Sequence, residues 1–144
     1  VAAVIAISLV RDGQPADVRH KQMAAAKARV ARHDASLHAY AFSFCKTYMA
    51  KPQTYLSYAQ WDDGRTLDTL ARLRQRGVPF YVVLGGADNR IDEKWVQALR
   101  AHATQVTVID GANHFFSSMH EFDLNDSLQD IDAKLNLLTS KQRP

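Results

Sequence analysis

The stretch VTVIDGANHFFSS, residues 106–118, places His114 five residues past Ile109, the end of a β-branched run. Earlier in the chain, LGGADNRID places Asp88 four residues past Leu84, the end of the apolar run Pro79–Leu84. An imidazole changes charge near neutral pH and can take or give a proton. A carboxylate beside it fixes the tautomer and stabilises the charged ring, which makes the pair a general base toward a nucleophile. Each residue also has a plainer reading. Asp88 stands among turn formers, Gly85-Gly86-Ala87-Asp88-Asn89, and His114 can be an ordinary loop histidine. Asp110 and Asp92 are rival acids. Asp110 is expected to end its strand in a turn with Gly111, and Asp92 to cap a helix. Ser118-x-x-Glu121 reads as a capping box rather than as a source of a nucleophile.

These residues need elements to position them. VAAVIAISLV, residues 1–10, is continuously apolar and ends near Asp12-Gly13, the pattern of a strand buried on both faces in a parallel sheet. Pro15-Ala16-Asp17 opens an Ala-rich helix to about Arg32. Residues 36–50 are expected to be helical, with Leu37, Tyr40, Ala41, Phe44 and Tyr48 on one side and Lys51-Pro52 as the stop. Thr66 is a candidate cap for a helix through Arg76, ended by Gly77. A second strand follows at 79–84, then a helix burying Trp95, Val96 and Leu99, then a third strand at 105–109. The last helix carries Leu124, Leu128, Ile131, Leu135 and Leu138 at steps of four and three, one apolar stripe. Strands alternating with helices imply an α/β fold with a parallel sheet. Its ligand site is expected beyond the carboxyl ends of the strands, where Asp88 and His114 fall. Residues 1–144 are expected to form one domain, with 14–61 as a helical insertion or lid.

Composition narrows the function classes. The chain is 47% hydrophobic and 23% charged, with net charge +3, which is ordinary globular usage. Residues 1–61 carry eight basic and three acidic side chains, and much of the excess lies on RHKQMAAAKARVAR, 19–32. Without aromatic interleaving or a nucleic-acid motif, that run reads as a solvated helix face, and no nucleic-acid partner is expected. No apolar run approaches the roughly 20 residues that span a bilayer. The opening ten residues make a poor signal peptide, so no targeting segment is expected and the compartment stays open. Cys45 is the one cysteine and reads as a buried, inert thiol. The six histidines show no metal-ligand spacing, and Gly85-Gly86 is not a dinucleotide loop. No metal or cofactor is expected. The aromatics Tyr40, Phe42, Phe44, Tyr48, Tyr55, Tyr58 and Trp61 either line a pocket or pack together, and packing is the preferred reading.

The pattern GVPFYVVLGGADNRID … VTVIDGANHFF … helix resembles the C-terminal half of the α/β-hydrolase superfamily. In that family a strand entered by proline ends in a Gly-x-x-Asp turn supplying the triad acid. The next strand ends in a short turn with the triad histidine, and an amphipathic helix closes the fold. Matched residue by residue, Asp88 falls on the acid and His114 on the histidine, in the family's order. KPQTYLSYAQWDD, 51–63, also resembles a segment ahead of the penultimate strand in some bacterial members. The resemblance implies a partial α/β-hydrolase fold with strands at about 1–10, 79–84 and 105–109.

It further implies a bacterial serine hydrolase, cytoplasmic or exported, acting on a carboxylic ester or other small-molecule acyl substrate. The family's Gly-x-Ser-x-Gly elbow is missing: none of the eight serines (8, 36, 43, 57, 117, 118, 127, 140) has the flanking glycines. The chain is therefore expected to supply acid and base but neither nucleophile nor oxyanion donors. The nucleophile half would be removed, carried on another chain, or part of a longer protein, and this chain alone would be inactive. The alternative is a non-catalytic binding or assembly module of the same fold. Strand 1–10 would have a bare edge, which invites self-association.

Overall fold

The computed structural model describes residues 3–42 and 47–140, with backbone only for 138–140. The chain divides into two compact units, one of residues 1–10 and 67–144, the other of 11–66.

The first unit is an α/β layer. Its three strands, β1 (Val4–Ile7), β4 (Phe80–Gly85) and β5 (Gln105–Ile109), are all parallel, in the order β1-β4-β5. β4 is central and every one of its six residues is buried. An unbroken apolar run such as Phe80–Leu84 suits that position, because helices cover both faces. Phe80, Val82 and Leu84 pack with Leu70 of α3 (Asp63–Gln75) and with Trp95, Val96 and Leu99 of α4 (Glu93–His102). Tyr81 and Val83 point the other way, into a cluster with Ile109, Phe116 and Ile131. Ile131 belongs to α5 (His120–Ser140), whose Leu124 and Leu135 join the same cluster.

The helix ends follow local chemistry. Asp92 caps α4, its carboxylate accepting from the Trp95 N–H at 2.8 Å. Gly77, at φ +67°, ends the turn after α3 in a backbone conformation that a Cβ disfavours.

Three expectations for these elements need correction. The first strand spans four residues rather than ten, and it is not buried on both faces: Ile5 and Ile7 are exposed. Among the described residues β1 pairs with β4 alone; Ala3 packs against the cluster that holds Ile131 of α5, while Ile5 and Ile7, farther along the same face, stay exposed. Helix α3 starts at Asp63, and Asp62 rather than Thr66 satisfies its first turn, accepting from the Arg65 N–H at 2.8 Å. The Ser118–Glu121 capping box does not form. Ser118 has φ +59° and lies two residues before the first helical residue, whereas a capping residue needs extended backbone at the boundary itself.

The second unit holds α1 (Ala16–Ala31), strands β2 (His38–Ala41) and β3 (Thr47–Ala50), and α2 (Pro52–Ala59). The helix expected over 36–50 is instead an antiparallel strand pair, with Tyr40 opposite Tyr48. The helical stripe would have buried Leu37 and Tyr48, yet both are exposed. The period-two set wins, because Tyr40 and Phe42 share a strand face and both reach the Tyr55 ring, at 4.1 and 5.7 Å. The segment 14–61 thus mixes strands with helices rather than being all helical. Lys51-Pro52 stops nothing: Pro52 occupies the first turn of α2, where its missing N–H costs no hydrogen bond. Tyr40, Tyr55, Ala26, Ala50 and Ala59 form the core, with Phe42 against it. The packing reading of the aromatics holds for Tyr40, Phe42 and Tyr55, whereas Tyr48, Tyr58 and Trp61 are exposed. Two glutamines hold the end of β2: Gln14, just before α1, donates from Nε2 to the Ala41 carbonyl, and Gln22 of α1 accepts at Oε1 from the Ala41 N–H. Cys45 and Phe44 lie outside the described residues.

Candidate functional site

Because β4 and β5 are adjacent and parallel, the loops leaving their carboxyl ends stand side by side. The loop after β4 carries Asp88 and the loop after β5 carries His114. Two glycines let these loops touch. A Cβ built on Gly85 would lie 2.5 Å from the carbonyl oxygens of both Ala112 and Asn113. No side chain fits there unless the histidine loop moves. Gly86 is nearly as tight, with the Ile109 carbonyl oxygen 3.1 Å from such a Cβ. Backbone bonds then stitch the loops together: Gly86 N–H donates to Ile109 at 2.8 Å, and Ala87 N–H donates to Ala112 at 2.8 Å.

This close approach joins the two expected site residues. His114 Nδ1 lies 2.8 Å from Asp88 Oδ2, a contact between positions 26 apart in sequence. The Asp88 side chain is only 2% exposed, while that of His114 is 24% exposed. A buried carboxylate requires partners, and Asp88 has two. Its Oδ2 faces the imidazole, and its Oδ1 accepts from the Arg90 N–H at 2.9 Å. The network therefore assigns the proton to Nδ1, donated to Asp88. Nε2 is left with its lone pair and no hydrogen-bond partner among the described residues. A half-exposed imidazole in this tautomer can accept a proton from an incoming hydroxyl.

The rest of the histidine loop divides its aromatics between inside and outside. Phe116 is buried in the cluster under α5 and anchors the loop. Phe115 is 76% exposed and stands edge-on to the His114 ring at 4.9 Å. The Arg90 guanidinium lies over the outer ring, 5.6 Å from its centroid, a cation–π distance. Met119 and Phe122 are also largely exposed, so the segment just after His114 presents several apolar side chains to solvent.

Backbone strain concentrates here. Phe116, Ser118 and Met119 all have φ between 51° and 66°, and so does Ser8 at the end of β1. Residues with a Cβ visit that region rarely, and such outliers gather where surrounding structure over-determines the chain. No local pattern in the sequence signals this strain, the loop contact at Gly85, or Ser8, whose hydroxyl donates to the His114 carbonyl at 2.6 Å.

The rival residues fall elsewhere. Asp92 is occupied as the α4 cap, and Asp110 is exposed in the turn with Gly111. His120 pairs with Asp123 within the first turn of α5. In the other unit Ser36, His38 and Asp34 cluster in the way a triad does, but one nitrogen serves both neighbours. His38 Nε2 lies 3.1 Å from Ser36 Oγ and 2.9 Å from Asp34 Oδ2. A relay needs the two ring nitrogens on different partners, so this cluster is a turn lock. It holds the Asp34 carboxyl down at about 2, chiefly through the Ser36 hydroxyl and then the Ser36 N–H. Among the described residues no group of three or more His, Cys, Asp or Glu side chains is placed to hold a metal ion. Nor is any helix among them long and apolar enough to cross a membrane.

Comparison of the chain with protein-family models, with curated proteins and with solved structures found no match.

Proposed function

We propose that Asp88 and His114 are the acid and base of a serine hydrolase acting on a carboxylic ester or other acyl substrate. The nucleophilic serine and oxyanion donors come from outside these 144 residues. The observation that carries the reading is the 2.8 Å contact from His114 Nδ1 to a buried carboxylate, with Nε2 left open. Adjacent parallel strands bearing acid and then histidine support a partial α/β-hydrolase fold, since that is the family's order.

In the proposed reaction the serine hydroxyl gives its proton to Nε2 as its oxygen bonds to the acyl carbon. The imidazolium, held by Asp88, then protonates the departing alkoxide or amine. Water repeats the sequence on the acyl-serine, releasing the acid and restoring the hydroxyl. The exposed Phe115, edge-on to the His114 ring at 4.9 Å, gives that ring an apolar neighbour that suits an acyl chain.

A second reading is a non-catalytic module of the same fold, favoured by the missing Gly-x-Ser-x-Gly elbow and by the single strand partner of β1 among the described residues. Fluorophosphonate labelling of the complete product of the encoding gene separates the two. Labelling of a serine that disappears in His114→Ala supports the hydrolase. Absence of labelling in the wild-type product overturns it.

A further inference from the structure

We infer that Ser8 is a positioning residue for His114, clamping the backbone from which the imidazole projects. The inference rests on the proposed role of the Asp88–His114 pair.

Ser8 follows the last residue of β1. Its N–H donates to the Val83 carbonyl at 2.9 Å, so the residue is fixed to the central strand. Its φ of +56° turns the chain into the left-handed region, which a Cβ disfavours. At that turn the hydroxyl donates to the His114 carbonyl oxygen at 2.6 Å, bridging 106 positions of sequence. The tether joins the two outer strands of the sheet across the end of β4.

The histidine loop is also anchored by Ala112, which accepts from the Ala87 N–H at 2.8 Å, and by Phe116, buried in the cluster with Ile131 of α5. His114 lies midway between them. Within the loop the Phe115 N–H donates to Asn113 Oδ1 at 2.9 Å, which holds the His114–Phe115 peptide plane against the loop itself. The Ser8 hydroxyl takes the carbonyl end of the same plane and ties it to the sheet, so that the loop cannot carry the ring away from Asp88. Strain at Ser8 and strain at Phe116, φ +51°, thus flank the same peptide, as expected where a reactive side chain is held in one orientation.

Ser8 is not placed as the nucleophile. Its proton points to a backbone carbonyl rather than to Nε2, and its neighbours Ile7 and Leu9 are bulky.

The test is proton NMR of the 144-residue chain, following the low-field Nδ1 proton of His114. The wild type is expected to show this proton, protected from exchange with water by its bond to Asp88. Ser8→Gly removes the hydroxyl and relieves the φ strain, so the fold should persist. Ser8→Ala removes the hydroxyl alone. Both are expected to speed Nδ1 exchange at least tenfold while the amide spectra of β4 and β5 stay unchanged. Unchanged exchange in the folded Ser8→Gly chain overturns the inference and leaves the Asp88–His114 pair standing. A wild-type chain with no protected Nδ1 proton overturns the pair itself, and the role of Ser8 with it. Fluorophosphonate labelling of Ser8 would also overturn it, by making Ser8 the nucleophile.

Discussion

His114 Nδ1 donates to Asp88 Oδ2 at 2.8 Å, and the acid of this pair is buried while the imidazole keeps one edge in solvent. The asymmetry gives the partners different work. The carboxylate is held by the protein, and the ring is available to a reactant. Asp88→Asn keeps the shape but removes the charge that fixes the tautomer. It is expected to slow fluorophosphonate labelling of the complete protein by about 10³–10⁴-fold. Asp88→Ala is expected to cost about 1–3 kcal/mol of stability as well, because the Arg90 N–H and the imidazole lose their acceptor. Thermal unfolding and labelling rates check the two effects separately.

Gly85 tests the loop contact. A methyl group there meets two carbonyl oxygens at 2.5 Å, so Gly85→Ala must displace the histidine loop. The expected cost is about 1–3 kcal/mol, the usual range for overpacking, together with loss of the protected His114 Nδ1 proton. Gly86→Ala, with its nearest contact at 3.1 Å, is expected to be milder on both readouts. Equal effects at the two positions would count against the steric account.

The α4 cap is independent of the site. Asp92→Ala leaves the Trp95 N–H without its acceptor and is expected to cost about 1 kcal/mol in chemical denaturation. Asp92→Asn or Asp92→Ser should recover most of it, since either side chain can accept the same bond.

The turn at Asp34 carries a pH dependence. The folded-state pKa is about 2 against an ordinary 3.8, and the Ser36 hydroxyl is the main cause. A lowered carboxylate pKa favours the folded state above the unfolded value. That contribution is fully present above about pH 4, and it is lost as pH falls through about 2. Ser36→Ala is expected to raise the Asp34 titration midpoint toward 3.8, as read by carboxyl chemical shifts.

The outer edge of β1 has no strand partner among the described residues, and Ile5 and Ile7 beside it are exposed. Sheet edges of this kind recruit other chains. The 144-residue chain is expected to associate in a concentration-dependent way in sedimentation, and Ile7→Lys to weaken that association. A wild-type chain that stays monomeric at all concentrations would refute the expectation.

Some of this protein was legible in its sequence, and some was not. The runs Phe80–Leu84 and Val106–Ile109, the core face of the last helix at Leu124, Ile131 and Leu135, and the cap at Asp92 were readable, while the Leu138 side chain of that stripe lies outside the described residues. In each case local pattern and burial demand the same element. The pairing of Asp88 with His114 was readable because parallel neighbours bring their carboxyl-end loops to one edge. The segment 36–50 misled, since its aromatics satisfy both a helical and a two-residue period. Only contact with the Tyr55 ring decides between them. The strand expected over 1–10 also misled, because an apolar run reads the same whether it is buried on both faces or, like β1, leaves Ile5 and Ile7 exposed. Gly85 looked like a turn residue, and its work as a gap for a second loop exists only once that loop is beside it. Ser8 had no signal, since a hydrogen bond across 106 positions leaves no local pattern. Sequence alone determined which residues can carry a proton and which strands hold them, because those depend on residue type and near-neighbour spacing. Tertiary structure decided how they are clamped, because close approach and strained backbone arise only between segments distant in the chain.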